Sequence, residues 1–413
     1  MVRRIVKKII LLYYRILTVL LPVRKDVIVF QSNLGRNYTG NPRAIYEKFV
    51  ELGLDKTYRC YYILDEPERY AHLLPGRVQI IKNARLRYYY VMAVAGVWIS
   101  DTRFQNYIKK RKKTCYIQTW HGTPLKRLAL DLESLHMAGN ETLEEYKEAF
   151  RVNAATWDYL ISQNPFSTAI FRQAFDFKGL MLPVGYPRND ALFSWRMPEE
   201  ADTMKVRARK ERCALRMQQE KQRLGFPVDK KIMLYAPTWR DDAFYDAASY
   251  RFATAMDFEK MYQAFGKEYI LVAKFHYMVR EKEAFDRYPE FLYPVDAGVD
   301  IADLYPLADL LITDYSSAMF DYSILKRPMY FFAYDLENYE NALRGFYFDF
   351  LKEAPGPVVS TTEALIEAIL EGEEVYRQKH GESYDAFCRK YNPYDTGHAS
   401  EKVIKIIFSW RTK

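Results

Sequence analysis

The sequence predicts two doubly wound α/β domains that face each other across a cleft. Three observations carry this. Short β-rich apolar runs alternate with amphipathic helical stretches, the pattern of a parallel sheet covered on both faces. A long charged helix, roughly Glu199 to Leu224, interrupts the alternation, and a second series follows it. A chain of 413 residues with 49% apolar content is too long for one ordinary core. The expected division is a helix over 1–22, a first domain over 23–198, a linker over 199–226, a second domain over 227–390 and a terminal helix over 391–413.

The first element is a basic amphipathic helix. On a helical wheel Arg3, Arg4, Lys7, Lys8 and Arg15 fall within an arc of about 140°. Ile5, Val6, Ile9, Leu12, Tyr13, Ile16, Val19 and Leu20 fill the rest. No apolar run reaches the ~20 residues that span a bilayer, and no small-residue cleavage site follows. Such a helix either lies on an anionic membrane surface or docks on the protein's own core.

The strands of the first domain are expected at Val27–Gln31, Tyr58–Leu64, Val78–Ile81, Val97–Ser100, Cys115–Thr119, Tyr159–Ser162 and Met181–Val184. Helices are expected at Pro42–Leu52 and Leu143–Arg151. The second series places strands at Lys231–Ala236, Tyr269–Phe275, Phe291–Tyr293, Leu310–Thr313 and Pro328–Phe332. Helices near Asp257–Phe265, Ile301–Leu307 and Ala318–Lys326 lie between them, and three more close the chain.

Charge and cysteine usage narrow the function. A net charge of +8 favours phosphates, acidic lipid or nucleic acid. Nucleic acid fits poorly, because no recognition helix, zinc finger or aromatic RNA-binding signature accompanies the charge. The four cysteines form no CxxC pair, which argues against a zinc site or a disulfide framework. The run Lys109–Lys113 is either a solvated loop or a contact to lipid phosphate.

Ligands of such sheets bind beyond the carboxyl ends of the strands, and the unusual polar residues fall there. Gln118–Lys126 puts His121 after a strand, as a general base or as the cap of a packed turn. Gly122 admits close backbone approach. Thr123-Pro124 can open a helix whose free N–H groups meet an anion. Arg188 in Gly185–Asp190 is either a forked phosphate contact or a surface arginine. Pro237 and Thr238 follow another strand; beside them Asp241 and Asp242 form an ion pair with a basic neighbour more readily than a metal site. Lys274 and His276 flank Phe275, where cationic groups stabilise a transferring phosphoryl group. Ser316 and Ser317 open a helix, with Asp321 one turn on, able to accept bonds from a polyol hydroxyl.

Taken in order, QTWHGTPLK, GYPRND, YAPTWRDD, AKFH, Asp300–Tyr305, ITDYSSAMFDY and RGFYFDF form a specific set. The chain resembles the CDP-glycerol:poly(glycerophosphate) glycerophosphotransferase family over about residues 25 to 405. The resemblance implies a GT-B-like fold, a CDP-polyol donor, a lipid-linked saccharide or polyol-phosphate acceptor, release of CMP, and a peripheral place on the cytoplasmic face of a bacterial membrane. It implies catalytic roles for His121 and His276, with His121 as the base. It implies donor contacts at Trp120, His121, Gly122, Thr123, Pro124, Arg188, Pro237, Thr238, Lys274, Phe275, His276, Ser316, Ser317 and Asp321. No cofactor or metal is implied. Related enzymes sharing these motifs use CDP-ribitol, and GT-B enzymes more often transfer sugars, so both stand as alternatives. A non-catalytic scaffold is disfavoured by the joint presence of both histidines and the serine pair.

Overall fold

Alternation along each strand divides the first domain into two faces. In β1 (Arg24–Gln31), Val27 and Val29 join one buried cluster while Ile28 and Phe30 join another. The same split runs through β2 (Arg59–Leu64), β4 (Ala95–Ser100) and β5 (Cys115–Gln118), as the two-residue period of a strand requires. With β3 (Val78–Lys82), β6 (Tyr159–Ser162) and β7 (Leu180–Pro183), they form a parallel sheet ordered β3-β2-β1-β4-β5-β6-β7. The order reverses between β1 and β4.

The structure, a computed structural model, describes residues 2–134, 142–196, 204–238, 244–246, 249–250, 255–274, 286–296, 298–336 and 345–411. Helix α1 (Val2–Leu20) packs Ile10, Tyr13, Tyr14 and Leu17 on one face of the first sheet. Helix α2 (Gly40–Glu51) covers the other face through Ile45, Tyr46 and Phe49.

The second sheet joins β8 (Lys231–Ala236), β11 (Tyr269–Ala273), β12 (Leu292–Pro294), β13 (Leu310–Thr313), β14 (Met329–Phe332) and β15 (Val358–Val359). It is parallel, ordered β12-β11-β8-β13-β14-β15. A small antiparallel pair, β9 (Phe244–Asp246) and β10 (Ser249–Tyr250), and the edge strand β15 escape the sequence pattern because each is only two or three residues long. The charged linker is helical over Met204–Arg223.

Three expected helices differ, and the one near Ile301–Leu307 is α-helical only over Ile301–Leu304 before a 3-10 turn at Tyr305–Leu307. No helix opens at Thr123-Pro124. Residues 125–127 are instead held extended by the second domain: Lys126 bridges Phe346, the Tyr347 N–H donates to the Leu125 carbonyl at 3.0 Å, and the Arg127 N–H donates to the Gly345 carbonyl at 3.3 Å. The helix expected over Ala318–Lys326 is α-helical only over Ala318–Tyr322 and tightens to a 3-10 turn at Ser323–Leu325.

The chain ends back on the first domain. Val403, Ile404 and Ile407 of the helix Ala399–Arg411 pack beside Ile28 and Ile45. Its first N–H groups, at Ala399 and Ser400, donate to the two Asp190 carboxylate oxygens at 2.8 Å each, an acidic cap that suits the positive end of a helix. Three interior tyrosines carry an anchoring hydroxyl: Tyr14, Tyr322 and Tyr384 each donate to a distant backbone carbonyl. All four cysteines are free.

Candidate active site

The site lies where the strand ends of both sheets converge. Beyond β5, Trp120 takes a left-handed backbone (φ +52°) that turns the chain into the cleft. Gln118 stabilises this turn by accepting the Trp120 N–H at 3.0 Å. His121 follows, its ring stacked on the Trp120 indole at 4.5 Å between centroids. Its Nδ1 lies 2.9 Å from the Asp101 carbonyl oxygen. A carbonyl only accepts, so Nδ1 carries the proton and Nε2 of the neutral ring keeps its lone pair. The side chain remains solvent-accessible. The dense walls of the cleft still lower its pKa below 6.5, the Arg188 cation adds to the effect, and the Asp101 carbonyl opposes it.

Asp101 itself is a buried acid at the end of β4. Burial pushes its pKa up to about 7, against the pull of the Asn33 N–H bond and Arg188. Sequence patterning did not single it out, although a polar residue at the strand-order reversal was the available signal.

Arg188 sits on the short turn Pro187–Asn189 after β7. One of its terminal nitrogens bonds the carboxylate of Asp321, which belongs to the second domain and is 1% exposed. Asp321 also accepts from Asn189 Nδ2 at 2.8 Å and from Gln163 Nε2 at 3.4 Å. Asp321, expected to accept a polyol hydroxyl, thus also accepts from three first-domain donors. Thr123 is likewise buried within the protein, donating to Gln163 Oε1 at 2.6 Å and accepting from Asn164 Nδ2 at 2.9 Å.

Ser316 and Ser317 face this turn across the cleft. A β-carbon on Gly122 would lie 2.8 Å from Ser317 Oγ. Ser316 Oγ accepts the Ala318 N–H at 3.3 Å. At the end of β8, the Thr238 N–H donates to Asp314 Oδ1 at 2.7 Å, which ties Pro237-Thr238 to the serine segment. Lys274 Nζ donates to the Asp296 carbonyl at 2.7 Å; burial lowers its pKa to about 8 against the pull of Asp300 and Asp296. Phe275 and His276, and the acids Asp241 and Asp242, lie outside the described residues. Among the described residues no three His, Cys, Asp or Glu side chains converge as a metal site.

Behind the turns a buried polar network joins the domains. Asp395 accepts from the Tyr186 N–H at 2.9 Å and from Gln163 Nε2 at 2.8 Å, and burial pushes its pKa up to about 7. Outside it, partly buried Arg43 pairs with Asp303 at 2.6 Å and exposed Arg69 with Asp296 at 2.6 Å. Gln163 and Asn164 carry no sequence signature beyond being polar residues after a strand, whereas Asn189 belongs to the GYPRND segment.

The chain is 42% identical over 391 residues to a teichoic acid poly(glycerol phosphate) polymerase of Bacillus subtilis, covering 94% of this chain and 49% of that one. It thus spans about half the length of that relative. It is 37% identical to a teichoic acid glycerol-phosphate transferase of Staphylococcus aureus, over 93% of each chain. A histidine-to-asparagine variant of the wall teichoic acid polymerase TagF, solved after soaking with CDPG, is similar at a TM-score of 0.85 and 34% identity, over 99% of this chain and 95% of that one. The two parallel-sheet domains are thus GT-B-like. The profile of the CDP-Glycerol:Poly(glycerophosphate) glycerophosphotransferase family matches residues 12–409, and the chain belongs to that family.

Proposed function

We propose that this protein transfers glycerol phosphate from CDP-glycerol to a hydroxyl of a teichoic-acid-type acceptor, releasing CMP. The observation that carries this reading is the 2.9 Å approach of His121 Nδ1 to the Asp101 carbonyl: a carbonyl accepts, so the proton sits on Nδ1 and Nε2 is the free basic atom. Nε2 takes the acceptor hydroxyl proton as that oxygen attacks the phosphorus bearing glycerol. The bond from this phosphorus to the CMP oxygen breaks, and CMP departs. A lowered His121 pKa keeps the base unprotonated at neutral pH. Arg188 and Lys274 supply positive charge near the phosphates, with one Arg188 nitrogen committed to Asp321. Ser316 and Ser317, and His276 by its motif, complete the donor side, where positioning and charge stabilise the transferring phosphoryl group.

The acceptor is proposed to be lipid-linked, with the protein on an anionic membrane surface. Outward from the body, α1 exposes Ile5, Ile9, Leu12, Ile16, Val19 and Leu20, an apolar stripe at helical spacing. Lys8 and Arg15 are exposed on the same helix, whereas the side chains of Arg3, Arg4 and Lys7 lie outside the description. The basic loop adjoins it: Tyr14 OH donates to the Lys109 carbonyl at 2.8 Å and Arg111 Nη1 to the Leu21 carbonyl at 2.6 Å. Lys110 is spent on Asp158 at 2.9 Å, which leaves Lys109, Lys112 and Lys113 exposed. Among the described residues no helix is long and apolar enough to cross a membrane.

The test is mass spectrometry of products from CDP-glycerol, CDP-ribitol and UDP-sugars with a lipid-linked disaccharide, unprimed or glycerophosphate-primed. Acceptor masses rising by glycerol phosphate support the proposal. Growth by ribitol phosphate or by a sugar alone replaces it with one of the alternatives.

A further inference from the structure

Asn41 is fully buried at the start of α2 and touches both catalytic turns. Its Nδ2 donates to the Trp120 carbonyl at 2.9 Å and, more weakly, to the Thr119 carbonyl at 3.5 Å. Its Oδ1 accepts the Arg188 backbone N–H at 3.2 Å. The Trp120 carbonyl belongs to the peptide that leads into His121. Side-chain amides therefore hold this left-handed residue on both sides, Gln118 at its N–H and Asn41 at its carbonyl.

The second domain docks on the same turn of helix. The Gly40 N–H donates to Asp300 Oδ2 at 2.6 Å, and Arg43 pairs with Asp303. Gly40 has φ +70°, and a β-carbon there would lie 3.2 Å from Asp101 Oδ2, so the chain passes close beneath the residue whose carbonyl orients His121.

We infer that Asn41 is a positioning residue for the transfer: it fixes the His121 base and the Arg188 cation at one separation, on a helix turn that Asp300 fastens to the donor domain. The inference rests on the proposed reaction. Asparagine suits the task because one short side chain offers both a donor and an acceptor. Alanine loses both bonds. Aspartate keeps the acceptor for Arg188 but sets a carboxylate oxygen against the Trp120 carbonyl. A small misplacement of this kind lowers the rate far more than binding.

The experiment is steady-state CMP release from CDP-glycerol by the full chain and by Asn41→Ala and Asn41→Asp, from pH 5.5 to 8.5, with circular dichroism as the fold control. The expected result is a kcat lower by about 10²-fold in both variants, with KM for CDP-glycerol close to wild type. The acid limb of the pH profile moves as the His121 to Asp101 bond loosens. A folded Asn41→Ala with wild-type kcat and pH profile overturns the inference. If that variant does not fold, wild-type kinetics in Asn41→Asp overturn it equally. A wild-type chain that releases no CMP overturns the proposed reaction itself, whereas an active wild type with unaltered variants overturns only the role of Asn41.

Discussion

Gly122 and Ser317 meet across the cleft so closely that a β-carbon on the glycine would lie 2.8 Å from the serine hydroxyl and 3.1 Å from its Cβ. The contact joins the His121 turn to the serine segment of the other domain. Gly122→Ala must therefore push the segments apart, at a stability cost of about 1–3 kcal/mol. In a Ser317→Gly background the same substitution meets neither atom and costs less. Urea unfolding of the four chains of this double-mutant cycle measures the difference.

Arg188 and Asp321 form the buried ion pair between the domains. Asp321→Ala leaves a guanidinium without its carboxylate and is expected to destabilise by about 3–5 kcal/mol. Arg188→Met combined with Asp321→Leu removes both charges and should recover much of that loss without restoring activity. Denaturant midpoints and CMP release separate the two effects.

The pH dependence follows from His121. Its folded pKa lies below 6.5, so the basic form, and with it kcat/KM, is lost only as pH falls through that lowered value. Arg188 is one cause of the lowering. Arg188→Gln should therefore raise the His121 pKa and move the acid limb to higher pH, which a pH–rate profile records.

Exposed apolar residues of α1 predict membrane binding. Replacing Ile9, Leu12 and Ile16 with serine removes side chains that are 61%, 58% and 46% exposed, so folding should change little. Sedimentation with vesicles rich in phosphatidylglycerol should fall sharply, and high salt should weaken binding of the unaltered chain.

Much of the fold was legible because strand and helix periods differ and most core strands are four or more residues long. The strands ending at Ser162, Ala236 and Thr313 match their apolar runs residue for residue. The start of a helix at Thr123 was misread, since Pro124 is equally at home in an extended segment, and here the partner segment is more than 200 residues away in sequence. Single residues at strand ends, such as His121 and Arg188, were visible by type and place. Asn41 and Gln163 were not, because their importance lies in which distant groups they bond, and no local pattern encodes that. Asp321 was legible by its spacing from Ser317, whereas its bonds to Arg188, Asn189 and Gln163 across the domain interface were not.

The most direct measurement compares CMP release from CDP-glycerol by the full chain and by His121→Ala, in the presence of a glycerophosphate-primed lipid acceptor, with CDP-glycerol binding followed by calorimetry. The account predicts that the unaltered chain releases CMP with each glycerol phosphate added, while His121→Ala remains folded, binds the donor and releases none above background. Wild-type turnover by a folded His121→Ala chain would contradict it.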